Sequence, residues 1–221
     1  MSVLVFPDAA LACSAAATMT AAALLEKPSL VRGLDPDATM GPVFRSLSAM
    51  TENGLISWDR AKPFLLKEYV SGPVLLKDEF LAAFSESVPC LKSILEVPPG
   101  ASTDWARDCE AFEEKIRNAG GLDLALATID REGAVLFNFP DSDLAPVTHV
   151  EAHGGQRSVT LGLGTLMSAR RLIVLATGRE KATAAAQMIK GSIDCTLPAS
   201  LLRFHTSATF ILDEDAAEHL K

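Results

Sequence analysis

Arg171-Leu172-Ile173-Val174-Leu175-Ala176-Thr177 runs straight into Gly178. The run is apolar almost without interruption, short, and rich in branched side chains. An exposed strand alternates apolar with polar residues. A strand covered on both faces does not, and reads like this one. Leu122-Asp123-Leu124-Ala125-Leu126-Ala127-Thr128-Ile129 repeats the pattern. Two such strands, separated from other short apolar runs by helical stretches, predict an α/β protein. Its central sheet is parallel and wrapped by helices on both sides.

Working outward, Ser2–Phe6 reads as a strand. The Ala-rich stretch after Asp8 reads as a helix that ends before Pro28, with Asp8 as its N-cap. Ser29–Leu34 reads as a strand entering a loop. Gly41–Asn53 has helical spacing at Val43, Leu47 and Met50. Lys62–Val70 reads as one strand. Asp78–Phe84 and Asp104–Asn118 read as helices, the second with Trp105, Cys109, Phe112 and Ile116 along one face. Glu180–Ile189 is a helix after Gly178, and Thr209–Leu212 a late strand. No repeat or linker interrupts the 221 residues, so residues 1–221 are expected to form one α/β domain.

With 20 Lys and Arg against 28 Asp and Glu, the net charge is −8. Nucleic-acid affinity comes largely from counterions released around a basic surface, so no nucleic-acid partner is expected. The apolar N-terminal stretch has no Lys or Arg before it and is interrupted by Asp8. It lacks the basic start of a signal peptide, and no membrane partner is expected. The four cysteines, Cys13, Cys90, Cys109 and Cys195, form no C-x-x-C pair. A reduced, cytoplasmic chain is the economical reading.

Local motifs carry less. Gly178 with Lys181 at the end of the Arg171 strand suits an anion, because ligands of open α/β sheets sit at strand C-termini. The same residues also make a tight turn with a solvated lysine. Gly162-Leu163-Gly164-Thr165 lacks the third glycine of a dinucleotide loop and the lysine of a P-loop, and reads as a close-packed turn. Asp213-Glu214-Asp215 reads as a solvated end. His149, His153, His205 and His219 have no metal spacing, so no metal site is expected. No G-x-S-x-G is present.

A longer pattern does carry identity. Ser158–Leu212 contains a T-x-G-x-G-T-L-type turn, then the apolar strand ending in Gly178. Lys181 follows three residues later, then a helix ending at Gly191 and the segment Pro198-Ala199-Ser200-Leu201-Leu202-Arg203-Phe204-His205. Glu110–Leu124, Phe137-Asn138 with Pro140, and Glu68-Tyr69-Val70 with Pro73 extend the match in order. This resembles the glucosamine-6-phosphate deaminase/isomerase family, whose related branch is the 6-phosphogluconolactonases. The resemblance implies a Rossmann-like three-layer α/β sandwich. It implies a hexosamine-6-phosphate-like sugar phosphate as ligand, conversion to fructose-6-phosphate and ammonia, and no redox cofactor.

Matched position by position, the resemblance makes Gly33, Thr39, Gly178 and Lys181 ligand-binding candidates, with Glu132, Glu68 and Lys67 as the acid/base candidates. It also marks departures. Lys67 stands where the family has a proton-moving aspartate before E-Y-V. Ala134 replaces a ring-opening histidine, and Phe139 replaces a glutamate. Asp37 replaces a phosphate-loop glycine, where a carboxylate should repel a dianion. The lid segment is shortened to about Val150–Arg157, with Arg157 as a substitute phosphate ligand. Three readings follow: an isomerase or deaminase of altered mechanism, a catalytically silent sugar-phosphate-binding or regulatory protein on the same fold, and a 6-phosphogluconolactonase-like hydrolase. A homo-oligomer is left open.

Overall fold

The computed structural model describes residues 1–70, 75–84, 88, 90–140 and 142–220. Pro73 lies outside the described residues. In chain order the elements are β1 (Ser2–Phe6), α1 (Ala9–Glu26), β2 (Val31–Leu34), α2 (Gly41–Glu52), β3 (Lys62–Leu65) and β4 (Lys67–Tyr69). Then come α3 (Leu76–Ala83), α4 (Leu91–Ile94), α5 (Trp105–Asn118), β5 (Leu124–Thr128), β6 (His149–His153) and β7 (Gln156–Thr160). The chain ends with α6 (Leu163–Met167), β8 (Arg171–Ala176), α7 (Ala182–Lys190), α8 (Pro198–Leu201) and β9 (Ala208–Asp213).

Six strands form one sheet in the order β1-β9-β8-β5-β2-β3, and every pairing in it is parallel. The two apolar runs that predict a doubly covered sheet, β5 and β8, lie side by side inside it. Their side chains divide between two cores. Ala125, Ala127, Leu172 and Val174 face the layer of α5, α6, α7 and α8. Leu124, Leu126, Ile173 and Leu175 face α1, α2, α3 and α4. This is the three-layer α/β sandwich with a mainly parallel central sheet that the sequence implies.

Helix α1 is apolar and long enough to cross a membrane by length and composition alone. Here it lies on the sheet. Ala12, Ala16, Ala17, Ala21 and Ala23 are buried, and their small side chains let the helix approach the strands closely. Asp8 caps it by accepting from the Leu11 amide at 2.8 Å.

The structure refines or corrects three readings of the sequence. Lys62–Val70 is two strands. The chain leaves the parallel sheet at Leu66, whose amide donates to the Leu34 carbonyl while its own carbonyl accepts from the Leu161 amide. Thereafter β4 pairs antiparallel with β7 in a small sheet ordered β4-β7-β6. Second, Val150–Arg157 belongs to a hairpin, β6–β7, turned by Gly154 and Gly155 at φ +58° and +80°. Two successive positive φ angles match the right-handed twist of the strands, and glycine adopts them without strain. Third, Asp213 is not a solvated end. It is buried, and its carboxylate accepts from the Gly178 amide at 3.1 Å and the Ala216 amide at 2.8 Å. The Gly162-Leu163-Gly164-Thr165 stretch is close-packed as expected, though it opens α6 rather than forming a bare turn. A Cβ on Gly162 would stand 2.4 Å from the Pro146 carbonyl carbon.

One core residue does not fit a hydrophobic layer. Arg32, on β2, is fully buried with the apolar residues around α1 and α2, and among the described residues its three guanidinium nitrogens have no hydrogen-bond partner. Among the described residues its compensation is the Trp58 ring, 3.9 Å from the guanidinium carbon. Burial pulls its pKa down to about 9, so the group is still charged at neutral pH. An unpaired buried charge costs more than one desolvated cation–π contact returns. Arg32→Met, of similar length, is therefore expected to raise the unfolding free energy by about 1–3 kcal/mol in urea titration. A loss of stability would mean that the Trp58 stack outweighs the desolvation.

Candidate active site at the strand ends

The C-terminal ends of β2, β5 and β8 and the start of β4 meet at one place, and charged side chains gather there. Lys67, only 4% exposed, lies 3.0 Å from Asp35 Oδ1 and 3.2 Å from Asp37 Oδ2. Asp35 is wholly buried and also accepts from the Thr128 amide at 3.1 Å. Asp37 accepts from the amide of Thr39 at 3.0 Å and from its hydroxyl at 2.7 Å. Lys181, 5% exposed, donates to the hydroxyls of Thr128 at 3.0 Å and Thr39 at 3.4 Å.

The electrostatics follow from this geometry. Burial pulls the Lys67 ammonium down, but the attraction of Asp35 and Asp37 and hydrogen bonds to both outweigh it. The net shift is upward from the ordinary lysine value. Asp37 is pushed up by burial, but Lys67 and the two Thr39 hydrogen bonds overcome this and hold it at about 2. Asp35 is raised by its own burial, against the pull of Lys67. Lys181 is lowered, chiefly by burial. At neutral pH Lys67 is a charged ammonium facing a firm Asp37 carboxylate. It has no lone pair with which to accept a proton.

Above this array opens a pocket of about 420 Å³ lined by Asp37, Thr39, Ile129, Asp130, Arg131, Glu132, Phe139, His153, Glu180 and Lys181. Larger hollows lie elsewhere. One, of about 530 Å³, is lined by Leu24, Leu55, Trp58 and Cys90 and includes none of the clustered charges. The chemistry sits in the smaller one. Its wall is aromatic. Phe139 stacks on His153 with ring centres 3.9 Å apart, Phe137 continues the row to Tyr69, and the Lys67 ammonium lies 4.7 Å from the Phe137 ring.

The candidate residues therefore separate. Thr39, Glu132 and Lys181 line the one pocket. Glu132 stands at its rim, with 54% of its side chain exposed, 3.5 Å from Arg131. Gly178 supports the pocket from behind. Its φ of +93° and its amide bonds to Asp213 set the turn that delivers Lys181. Gly33 is a packing glycine in β2: a Cβ there would meet Leu66 Cδ2 at 2.5 Å. Glu68 faces away. Its two oxygens accept from the amides of Tyr69, Leu76 and Lys77 and anchor the start of α3, leaving no oxygen for a ligand in the pocket. Arg157 is turned toward the Trp105 ring, 5.4 Å off, and does not line the pocket. Ala134 is buried beside the pocket floor, its amide bonded to Asp130.

Sequence reasoning missed Asp35 as Lys67's partner, Thr128 and the His153–Phe139 stack. The one available signal was a carboxylate, Asp37, and an ammonium, Lys67, appearing together as departures from the family pattern.

Comparison with known proteins identifies the family and the fold. Residues 38–211 match the family of glucosamine-6-phosphate isomerases and 6-phosphogluconolactonases. The chain is 33% identical over 243 aligned residues to a glucosamine-6-phosphate deaminase of Mycolicibacterium smegmatis, covering 100% of this chain and 93% of that protein. It is 34% identical over 219 residues to one of Pseudarthrobacter chlorophenolicus, covering 90% and 84%. The solved structure of a monomeric glucosamine-6-phosphate deaminase superposes with a TM-score of 0.92 at 25% identity, over 99% of both chains. The 6-phosphogluconolactonase of Trypanosoma brucei shares the fold, with a TM-score of 0.84 at 19% identity over 100% and 98%. On sequence and fold together, the chain belongs to the glucosamine-6-phosphate isomerase/6-phosphogluconolactonase family.

Proposed function

We propose that this protein is a cytoplasmic family member that binds a hexosamine-type sugar at the strand ends and does not run the isomerisation and deamination of its relatives. One observation carries the reading. The position where the deaminases, by resemblance, move a proton with an aspartate is Lys67. Lys67 is clamped between Asp35 and Asp37 and held as an ammonium. Ala134 supplies no imidazole for ring opening. Phe139 supplies no carboxylate and is committed to the stack on His153. Glu132 is the only one of the four acid/base positions that still has a carboxylate. The pocket, with an aromatic wall and a polar rim, is still sugar-sized.

The test is a coupled assay of ammonia and fructose-6-phosphate from glucosamine-6-phosphate, run beside sugar binding by calorimetry. Each missing acid/base group is worth about 10²–10⁴-fold. Turnover is therefore expected below about 10⁻² s⁻¹, far under the usual 1–10³ s⁻¹. Lys67→Asp, Ala134→His and Phe139→Glu introduced together are expected to raise it. Turnover above about 1 s⁻¹ that vanishes in Glu132→Gln would overturn the reading.

The charge array has its own pH signature. The folded value of Asp37, about 2, lies below its unfolded value. Ionised Asp37 therefore adds stability above about pH 4, and this is lost as pH falls through 2. Wild type is expected to exceed Asp37→Asn by about 2 kcal/mol at pH 5–7, with the gap closing near pH 2. Asp35 is present in both proteins and largely cancels. Urea unfolding across pH 2–7 measures the gap; a gap independent of pH would show that Asp37 is no ion-pair partner.

A further inference from the structure

The Asp37 carboxylate sits where an external anion would find its partners. Two ammonium groups, Lys67 and Lys181, are taken almost entirely out of water beneath the pocket, together with the Thr39 hydroxyl and amide. Two cations buried this close need anionic charge between them. Lys67 has Asp35 and Asp37. Lys181 has no carboxylate oxygen within 4 Å among the described residues; its direct contacts are the Thr39 and Thr128 hydroxyls, and Asp37 is the carboxylate that acts on it most strongly. One Asp37 oxygen takes both Thr39 donors, and the other takes Lys67. These are the kinds of donor that hold a phosphate: an amide, a hydroxyl and ammonium groups.

We infer that the Asp37 carboxylate is a built-in substitute for a ligand phosphate, so that the pocket selects against phosphorylated sugars. The inference rests on the sugar-binding reading and narrows its ligand class. A phosphate dianion could reach Lys181 and Thr39 only by lying against Asp37, whose own donors it would have to take. A sugar without phosphate meets no such competitor. It is left the Phe139–His153 face and the rim of Arg131, Glu132 and Glu180.

The experiment titrates wild type, Asp37→Asn and Asp37→Gly with inorganic phosphate, glucosamine and glucosamine-6-phosphate by calorimetry at pH 7 and low salt, with circular dichroism as the check on folding. Wild type is expected to bind glucosamine-6-phosphate no more than about threefold tighter than glucosamine, and inorganic phosphate no tighter than about 10 mM. Both variants are expected to gain about tenfold or more for the two phosphates, measured relative to any change in glucosamine affinity. Adding Lys181→Met to Asp37→Gly should abolish the gain. A wild type that already prefers the phosphate ester by about tenfold overturns the inference even if neither variant folds. So do folded variants that gain nothing. If glucosamine binds no form of the protein while the variants gain phosphate, the substitution by Asp37 stands and the sugar-binding reading falls.

Discussion

Lys67 is an ammonium with almost no access to water, and everything around the pocket is arranged by the need to neutralise it. A buried charge whose partner is removed costs about 3–5 kcal/mol, so its partners cannot drift. Asp35 comes from the end of β2 and Asp37 from the turn that follows. To reach both, the chain after β3 must leave the parallel sheet. It does so at Leu66, whose backbone bonds to Leu34 on one side and Leu161 on the other. The small antiparallel sheet, with the hairpin that walls the pocket, begins at that step.

The pairing extends into a closed circuit. Lys67 bonds Asp35, whose second oxygen takes the Thr128 amide. The Thr128 hydroxyl accepts from Lys181, Lys181 also reaches the Thr39 hydroxyl, Thr39 bonds Asp37, and Asp37 returns to Lys67. Four segments are tied by it: the end of β2, the start of β4, the end of β5 and the turn after β8. Lys181 is delivered by that last turn, which depends on the positive φ of Gly178 and on buried Asp213. Moving any member of this circuit would take a buried group away from its partner, which holds the four segments in place.

The sequence made the scaffold legible and much of this circuit illegible, for one reason. A strand covered on both faces announces itself locally, as Arg171–Thr177 and Leu122–Ile129 do. Pairings between residues far apart in the chain do not. Nothing within Lys62–Val70 marks Leu66 as the residue that changes sheets. Asp213 stands in a run of acids that looks solvated, yet its partner amide on Gly178 is 35 residues away. Glu68 stands beside the family's proton-moving position, yet the amides opening α3 claim both its oxygens. Lys67 itself was visible as a departure. The clamp that fixes its charge was not, because Asp35 and Asp37 lie about 30 residues earlier. Thr39 and Lys181 were found through resemblance, since both remain at matching places.

A group that moves a proton during turnover must be able to change its charge without collapsing its surroundings. The circuit at these strand ends has no member free to do so. Protonating Asp37 would leave Lys67 with Asp35 as its one carboxylate partner, and deprotonating Lys67 would leave Asp35 and Asp37 to repel each other in a buried space. The other carboxylates that line the pocket, Asp130, Glu132 and Glu180, stand outside the circuit. Glu132 is half in water beside Arg131 and is not held by packing at a fixed distance from a ring carbon. Stability and catalysis thus make opposite demands on the same few atoms, and here the bonds that close the circuit are the ones a proton shuttle would have to break. The scaffold loses nothing by this. Of the pocket's lining only Ile129 belongs to the two cores on either side of the sheet, so the family's fold can persist while its strand ends are rewired.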